Sequence, residues 1–219
     1  MINTVQQTFG TVQSTQCGNQ QPVQLLNVLS WNCKGGDKNA LDNFISTHQP
    51  DLVILQECNS NWYKTSQPVG YAGTTISEKH QWRINGSLLE SDGNSNYCVL
   101  YKQSFRVVQG LQLLDYLNQN GDPNYPSKIT VPNDVNQART QSFAARIPAM
   151  MRLQDTNSLL TITLFNWHAH TQQDGIQARS FQYLKDSVEF RRAIGEAGDH
   201  DLVILAGDLN NTFPREKLA

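Results

Sequence analysis

Long hydrophobic runs are missing from the sequence, and their absence excludes a protein held in a membrane by helices. A membrane-spanning helix needs about 18 or more consecutive apolar residues, and the 219-residue chain has no such run. The first residues, Met1–Gln21, lack both the basic start and the apolar stretch of a signal peptide. We therefore expect a soluble protein, either cytoplasmic or the mature form of a secreted one.

Charged residues are scarce and nearly balanced. They make up 16% of the chain, with 17 Lys and Arg against 19 Asp and Glu and a formal net charge of −2. Binding to a nucleic-acid backbone strengthens with the number of phosphates that the protein neutralises, so this balance argues against a broad basic binding face. An enzyme with a few well-placed cations beside a cleft is compatible with the composition.

Cysteines at metal-binding spacing are also missing. The four cysteines show no Cys-x-x-Cys spacing, which argues against a zinc site. Cys33, Cys58 and Cys98 lie in apolar stretches typical of strands, where a free thiol behaves as a small hydrophobic group. We expect reduced thiols in the core, with a disulfide through Cys17 as the alternative.

The sequence does contain short apolar runs of strand length, interspersed with helical periodicity. One pentamer, Asp-Leu-Val-Ile-Leu, occurs at 51–55 and again at 201–205, and an acid follows each copy closely. Apolar residues at helical spacing predict helices at Asn39–His48 and Gln177–Gly195. The predicted strands are Leu25–Trp31, Asp51–Gln56, Tyr97–Tyr101, Ala144–Leu153, Leu159–Trp167 and Asp201–Ala206.

The order of these elements predicts an α/β fold with two similar halves. Each half contains a strand–helix–strand unit, at 25–56 and at 159–206, with a crossover long enough for a helix to pack on a sheet. Residues 1–22 are rich in Gln and Thr and predict a polar arm that is loosely held or an edge strand, while 23–219 form one domain. The stretch Tyr116–Gln141 is rich in Asn, Pro and Gly and predicts a long surface loop that contacts substrate.

Polar residues recur at the carboxyl ends of the predicted strands. Ligands of α/β sheets gather at these ends, so we expect the side chains to share one site. Alternation along a strand turns Glu57 and Cys58 to opposite faces. Each residue alone is more typical of a turn or of a core, so the prediction depends on the whole set: Asn32, Glu57, Asn166, His168, Asp208 and Asn210.

Four ordered motifs resemble those of the endonuclease/exonuclease/phosphatase superfamily: WN at 31–32, LQE at 55–57, FNWHA at 165–169 and GDLN at 207–210. The likeness is greatest to the deoxyribonuclease-I-like branch and to the catalytic subunit of cytolethal distending toxins, whose Arg-x-Pro strand resembles RIPAMM at 146–151. The resemblance implies a two-sheet α/β sandwich that hydrolyses phosphate esters with a divalent metal. Mg²⁺ is the expected metal, with Mn²⁺ or Ca²⁺ as alternatives.

The resemblance also implies how metal and water would be held. Glu57 would bind the metal with help from Asn32, because Mg²⁺ is usually held by one or two carboxylates together with waters and substrate phosphates. Asp208 would orient or deprotonate the water that attacks phosphorus. These three residues, with their neighbours, would set up in-line attack on the phosphoester.

The remaining implied roles concern the substrate. His168 would bind the scissile phosphate or act as the acid for the leaving group, and Asn210 would donate hydrogen bonds to the phosphoryl oxygens. Arg146, with its forked guanidinium, and Asn166 would contact the substrate phosphate as well, together with Asn32. His170 would share the face of His168, although the matched motif uses only the first histidine.

One part of the family pattern is absent from the sequence. The superfamily places a Ser-Asp-His motif beyond GDLN, and none occurs before Ala219. We expect either that the sequence is a fragment of a longer protein or that the sandwich lacks its C-terminal strands and one catalytic histidine. Three functions follow in order of preference: a DNA endonuclease, a phosphoinositide or other phosphomonoester phosphatase of the same superfamily, and a catalytically inactive binding module.

Overall fold

Two mixed β-sheets form the body of the protein, and a helix covers the outer face of each. The computed structural model describes residues 7–13, 25–34, 36–59, 61–64, 66–84, 87–114, 146–169, 184–185, 187–195 and 201–209. The strands are β1 Gln7–Gln13, β2 Leu25–Asn32, β3 Leu52–Cys58, β4 Tyr71–Ile84, β5 Ser87–Lys102, β6 Phe105–Leu113, β7 Ala149–Asp155, β8 Thr161–His168 and β9 Asp201–Asp208. The helices are α1 Lys38–His48 and α2 Val188–Gly195.

The strand order repeats the plan predicted from the sequence. The first sheet has the order β1-β2-β3-β5-β4, and the second has the order β6-β7-β8-β9. Strands β2 and β3 are parallel, as are β8 and β9, and every other neighbouring pair is antiparallel. The two copies of the repeated pentamer begin at the start of β3 and β9, so each copy forms the second strand of a parallel pair.

Apolar side chains bury three interfaces between four layers. Leu26, Ile54 and Val99 of the first sheet pack against Leu153 and Ile162 of the second. The opposite face of the first sheet packs on α1, and the opposite face of the second packs on α2. Residues at these two outer interfaces include Leu29, Val53, Leu41 and Ile45 with α1, and Phe165, Trp167 and Phe190 with α2.

Local signals fix the ends of α1. The side chain of Asp37 accepts a hydrogen bond from the backbone N–H of Asn39 at 2.8 Å, which satisfies one of the free donors of the first turn. Gln49 follows the last turn with left-handed backbone angles, and Pro50 comes next. The helix therefore matches the predicted Asn39–His48 to within one residue.

Several predicted boundaries differ from the structure. The strand predicted at Ala144–Leu153 begins at Ala149, because Pro148 cannot donate to a strand ladder. The strand predicted at Leu159–Trp167 begins at Thr161, after a tight turn in which Leu159 has a φ of 63°. Of the predicted helix Gln177–Gly195, the structure shows α2 at Val188–Gly195, and 177–183 lie outside the described residues.

The sequence prediction missed a long hairpin and an edge strand. Strands β4 and β5 pair along their whole length, and the described pairing of β5 with β3 ends at Asn96. Strand β6 lies at the edge of the second sheet. In the first sheet the N-terminal residues Gln7–Gln13 form the edge strand β1 against β2, which is one of the two alternatives expected for this arm. The predicted loop at 116–141 lies outside the described residues.

Candidate active site

Four of the predicted residues meet where the carboxyl ends of β2, β3, β8 and β9 come together. The Asn32 side chain donates a hydrogen bond from Nδ2 to Oδ2 of Asp208 at 2.7 Å, across the two sheets. The Glu57 Oε1 atom lies 2.9 Å from Nε2 of His168, also across the two sheets. These four residues from the predicted strand ends therefore lie together at one edge of the two sheets.

Glu57 stands at an irregular point of β3. The pairing register between β3 and β5 shifts between Leu55 and Cys58, and Glu57 has a φ of 53°. A side chain other than glycine rarely adopts such a backbone conformation unless its surroundings enforce it. Here the backbone N–H of Glu57 donates to Oε1 of Glu78 at 2.9 Å. The bulge turns the Glu57 carboxylate towards the second sheet.

His168 is held between two carboxylates. Its Nε2 atom faces Glu57, and its Nδ1 atom lies 3.1 Å from Oε2 of Glu78. Its backbone N–H donates to the hydroxyl of Tyr97 at 3.2 Å. Both His168 and Glu78 are 2% exposed, so the imidazole ring has one fixed orientation.

The pKa of each of these three groups shifts in the direction that favours its charged form. Burial opposes charge on His168, but hydrogen bonds to Glu57 and Glu78 outweigh it and raise the pKa of the imidazole. Burial likewise opposes charge on each glutamate, yet the hydrogen bond with His168 lowers the pKa of Glu57 and that of Glu78 below the ordinary value. The cluster thus favours a protonated histidine between two ionised glutamates.

Two further cations border the Glu57 carboxylate. One guanidinium nitrogen of Arg146 contacts Nε2 of His168 and lies 3.9 Å from Oε1 of Glu57. The Lys34 ammonium lies 3.9 Å from Oε2 of Glu57, and its side chain is 79% exposed. The Arg146 backbone carbonyl accepts from the indole N–H of Trp167, which ties this residue to β8. The Glu57 carboxylate is therefore bordered by positively charged side chains.

Asn166 lies apart from this group. Its side chain is fully buried between the sheets, where Oδ1 accepts from Nε2 of Gln56 at 2.9 Å and Nδ2 donates to the Leu55 carbonyl at 2.9 Å. Both ends of the amide are engaged in these bonds. For the Asn166 side chain to contact a phosphate, one of these two hydrogen bonds would have to break. Asn210 and His170 lie outside the described residues.

The sequence prediction missed Glu78, which completes the cluster around His168. Glu78 lies in β4, a strand with many polar residues that was not predicted. The only sequence signal is its position two residues after Ile76, which regular alternation would place on the same face, but the pairing of β4 with β5 is irregular between Ser77 and Lys79. That signal is weak because most acids in such a context face solvent.

The donor atoms of the site fit a hard cation with few protein ligands. Within the described ranges, no group of three His, Cys, Asp or Glu side chains could hold a metal ion. Glu57 supplies a carboxylate and Asn32 an amide oxygen, and these oxygen donors suit Mg²⁺, which keeps several waters and binds substrate phosphates. Zinc, with its preference for nitrogen and sulfur ligands, fits this donor set poorly.

Three thiols lie behind the site, on the side of the first sheet that faces α1. Cys33, Cys58 and Cys98 are free and buried, which confirms the prediction of core thiols for these three; Cys17 lies outside the described residues. Burial, followed by the neighbouring thiols Cys33 and Cys98, raises the pKa of Cys58. The Sγ atoms of Cys33 and Cys58 are 2.9 Å apart.

In the part of the chain that the structure describes, no helix is long and apolar enough to cross a membrane. Among curated proteins, none matches this sequence. The fold is nevertheless similar to solved structures.

Three of these structures show the extent of the likeness. A humanized TDP2 from D. rerio has a TM-score of 0.53 and 17% identity over 84% of this chain and 62% of its own. TDP2 from C. elegans has a TM-score of 0.53 and 17% identity over 89% of this chain and 49% of its own. The human Nocturnin catalytic domain with bound sulfate has a TM-score of 0.51 and 17% identity over 84% and 64%. This chain therefore spans less than two thirds of the length of each, and the likeness shows a shared deoxyribonuclease-I-like fold.

The family model described as "Endonuclease/Exonuclease/phosphatase family" matches residues 29–215. This range includes the second half of β2 and all of β3, β8 and β9, with the four site residues at the ends of these strands. The match covers most of the chain, and the two-sheet fold agrees with it. The chain belongs to the endonuclease/exonuclease/phosphatase family.

Proposed function

We propose that this chain hydrolyses phosphodiesters of DNA with a divalent metal. Members of its family are metal-dependent phosphoester hydrolases, generally dependent on Mg²⁺. The observation that carries the proposal is the pairing across the two sheets, in which Glu57 meets His168 and Asn32 meets Asp208. One strand-end group from each half of the fold enters each pair, so both halves are needed to form the site.

The metal would be held by Glu57 and Asn32. When bound there, Mg²⁺ supplies positive charge that stabilises the charge developing on the phosphoryl oxygens, and Mn²⁺ or Ca²⁺ are the alternatives. Lys34 donates its backbone N–H to Oδ1 of Asn32 at 3.0 Å, which fixes the amide so that its oxygen faces the loop and its nitrogen faces Asp208. The protein thus orients the amide before any ligand arrives.

Asp208 and His168 would carry the proton transfers. The Asn32 amide donates a hydrogen bond to Oδ2 of Asp208 and orients this carboxylate, which would accept a proton from the attacking water. His168, whose pKa is raised by Glu57 and Glu78, would bind the scissile phosphate or donate a proton to the leaving oxygen through Nε2, the atom that faces Glu57. Asn210 would donate to the phosphoryl oxygens, as the motif resemblance implies.

DNA is favoured as the substrate by the cations at the rim. Arg146 and Lys34 both lie within 3.9 Å of the Glu57 carboxylate, where they could bind the phosphates on either side of the scissile bond. The resemblance of RIPAMM to the deoxyribonuclease-I-like branch and the toxins supports the same choice. The TDP2 of D. rerio, which is 17% identical, was crystallised with a single-strand DNA product.

A small phosphomonoester or an inositol lipid is the second candidate substrate. The net charge of −2 favours a substrate that needs fewer phosphate contacts than a DNA duplex. Arg146 and Lys34 could each bind one additional phosphate of such a molecule. The metal, the water and His168 would act in the same way on either substrate.

The test is nicking of supercoiled plasmid by the 219-residue chain with Mg²⁺. We expect relaxation of the plasmid, its loss in EDTA, and a drop of about 100-fold or more for Glu57→Gln, which keeps the shape but removes the charge. Glu189→Gln on α2, away from the site, is the matched control and should nick like wild type. Intact plasmid with release of phosphate from inositol lipids would select the second candidate. No turnover on any phosphoester would contradict both.

A further inference from the structure

Cys33 and Cys58 lie directly behind the two residues expected to hold the metal. Cys33 follows Asn32 in the chain, and Cys58 follows Glu57. Their Sγ atoms are 2.9 Å apart, whereas a disulfide bond is about 2.05 Å long. Both thiols are free in the structure. A movement of about 1 Å would therefore bring the two sulfur atoms to bonding distance.

The backbone holds this pair in place. Cys33 donates its backbone N–H to the Gln56 carbonyl at 2.7 Å, so the ends of the parallel strands β2 and β3 stay side by side. The two side chains are 4% and 0% exposed and belong to the apolar cluster beneath α1. Close packing requires only van der Waals contact between the two sulfur atoms. The observed separation of 2.9 Å is shorter than such a contact.

We propose that Cys33 and Cys58 are an oxidisable pair that forms a reversible disulfide, and that this bond suppresses the hydrolytic site. The second half of this statement rests on the function proposed above, and the first half does not. Cys98 is the third thiol of the cluster, but it lies within β5, opposite Leu55. It does not adjoin an expected metal ligand.

The reaction balances with a peroxide as oxidant. Hydrogen peroxide oxidises the Cys33 thiol to a sulfenic acid and is reduced to water. The Cys58 sulfur then attacks the Cys33 sulfur, the S–O bond breaks, and the hydroxyl leaves as a second water with the Cys58 proton. Cys33 reacts first because it retains slight exposure next to Lys34, whose side chain is 79% exposed. A dithiol reductant reverses the bond by thiol–disulfide exchange.

The bond would disturb the site because it joins the two segments that carry Asn32 and Glu57. Glu57 already has a φ of 53° at a bulge, so its carboxylate position depends on the local path of the strand. Drawing Cys58 towards Cys33 shifts that path by a distance comparable with the 1 Å displacements that cost about 100-fold in rate. We expect the oxidised protein to lose about 10- to 100-fold in hydrolytic rate.

The first test reads the bond without using activity. Cys17→Ser protein, which removes the cysteine outside the described residues, is treated with hydrogen peroxide, alkylated in denaturant and digested. We expect one linked peptide pair containing Cys33 and Cys58, and its loss after dithiothreitol. Cys33→Ala and Cys58→Ala should each abolish this crosslink, while Cys98→Ala should keep it. Full alkylation of both thiols, or a crosslink through Cys98, would overturn the proposal.

The second test reads the rate of phosphoester hydrolysis in the same samples. We expect peroxide to inactivate the Cys17→Ser and Cys98→Ala proteins reversibly. The Cys33→Ala protein should hydrolyse at the same rate before and after peroxide. A Cys33–Cys58 crosslink with an unchanged rate refutes the regulatory half. If the reduced protein hydrolyses no phosphoester, the proposed function and the regulatory half fail together, while peptide mapping still decides whether the bond forms.

Discussion

At the scale of single residues, Glu78 determines how His168 is used. It accepts a hydrogen bond from the imidazole with one oxygen and from the Glu57 backbone N–H with the other. It therefore orients the ring and fixes the bulge that carries the metal ligand. In metal sites, a carboxylate that orients a functional histidine in this way typically contributes about 10- to 100-fold to activity or metal affinity.

We predict that Glu78→Gln lowers kcat by about 10- to 100-fold with little change in KM. The glutamine keeps the shape of the side chain but removes the charge that raises the pKa of His168. The basic limb of the kcat–pH profile should therefore move to lower pH. A merely structural role for Glu78 would lower the amount of folded protein and leave the pH profile of the remainder unchanged. Thermal unfolding measured alongside the kinetics separates the two.

The same cluster predicts how stability depends on pH when metal is removed. The raised pKa of His168 means that its contribution is full below the unfolded value of about 6.5 and is lost as pH rises through the folded pKa. The lowered pKa values of Glu57 and Glu78 mean that their contribution is present above about 4.3 and is lost as pH falls through the folded values.

We therefore predict that wild type and His168→Gln differ most in unfolding free energy between about pH 4.3 and 6.5. The difference should shrink on either side of that window. Urea unfolding in EDTA across the pH range measures it, since the chelator prevents a bound metal from competing with His168 for Glu57. A difference that grew steadily above pH 7 would contradict the assigned direction of the histidine shift.

At the scale of elements, Gly207 sets the close approach of β9 to β8. Its φ is +141°, and a Cβ at this position would lie 2.0 Å from the Trp167 carbonyl oxygen. The next residue is Asp208, whose backbone carbonyl accepts from the Ala169 N–H at 2.8 Å. A side chain at 207 would thus push apart the two strands that carry His168 and Asp208.

We predict that Gly207→Ala destabilises the protein by more than about 1 kcal/mol. We also expect the rate of hydrolysis per folded molecule to fall. Gly110→Ala is the matched control, because Gly110 lies in β6 with nothing within 4 Å of its added Cβ. That variant should stay within about 0.5 kcal/mol of wild type. Equal effects of the two substitutions on chemical denaturation would show that the contact with Trp167 is unimportant.

The strands that are buried on both faces were among those that the sequence predicted. Strands β3 and β8 are almost wholly buried, so their apolar runs are continuous and easy to recognise. Strand β4 contains the polar run Ser77–Gln81, and β6 exposes most of its residues, so neither shows such a run. Glu78 was missed for the same reason. The bulge at Glu57 was also unpredictable, because its φ depends on the Glu78 contact from another strand.

At the scale of the whole molecule, a buried polar contact joins the two halves of the sandwich. The Gln56 amide donates to Asn166 across the intersheet space, and Asn166 donates in turn to the Leu55 carbonyl. The pairs Asn32–Asp208 and Glu57–His168 bridge the same two sheets next to it. The relative position of the sheets therefore sets the geometry of the site, and the Gln56–Asn166 contact is the part that no ligand can reach directly.

We predict that Asn166→Ala destabilises the protein by about 3 kcal/mol, because the Gln56 amide and the Leu55 carbonyl lose buried partners. A cycle with Gln56→Ala should give a coupling energy of about 0.5–3 kcal/mol, while exposed Gln112→Ala changes stability by less than about 0.5 kcal/mol. Denaturant unfolding measures all of these variants. The result also decides between two roles for Asn166. An unchanged stability with a raised KM would support the phosphate contact expected from the sequence, whereas a large loss of stability with an unchanged KM would make Asn166 a residue that positions the two sheets.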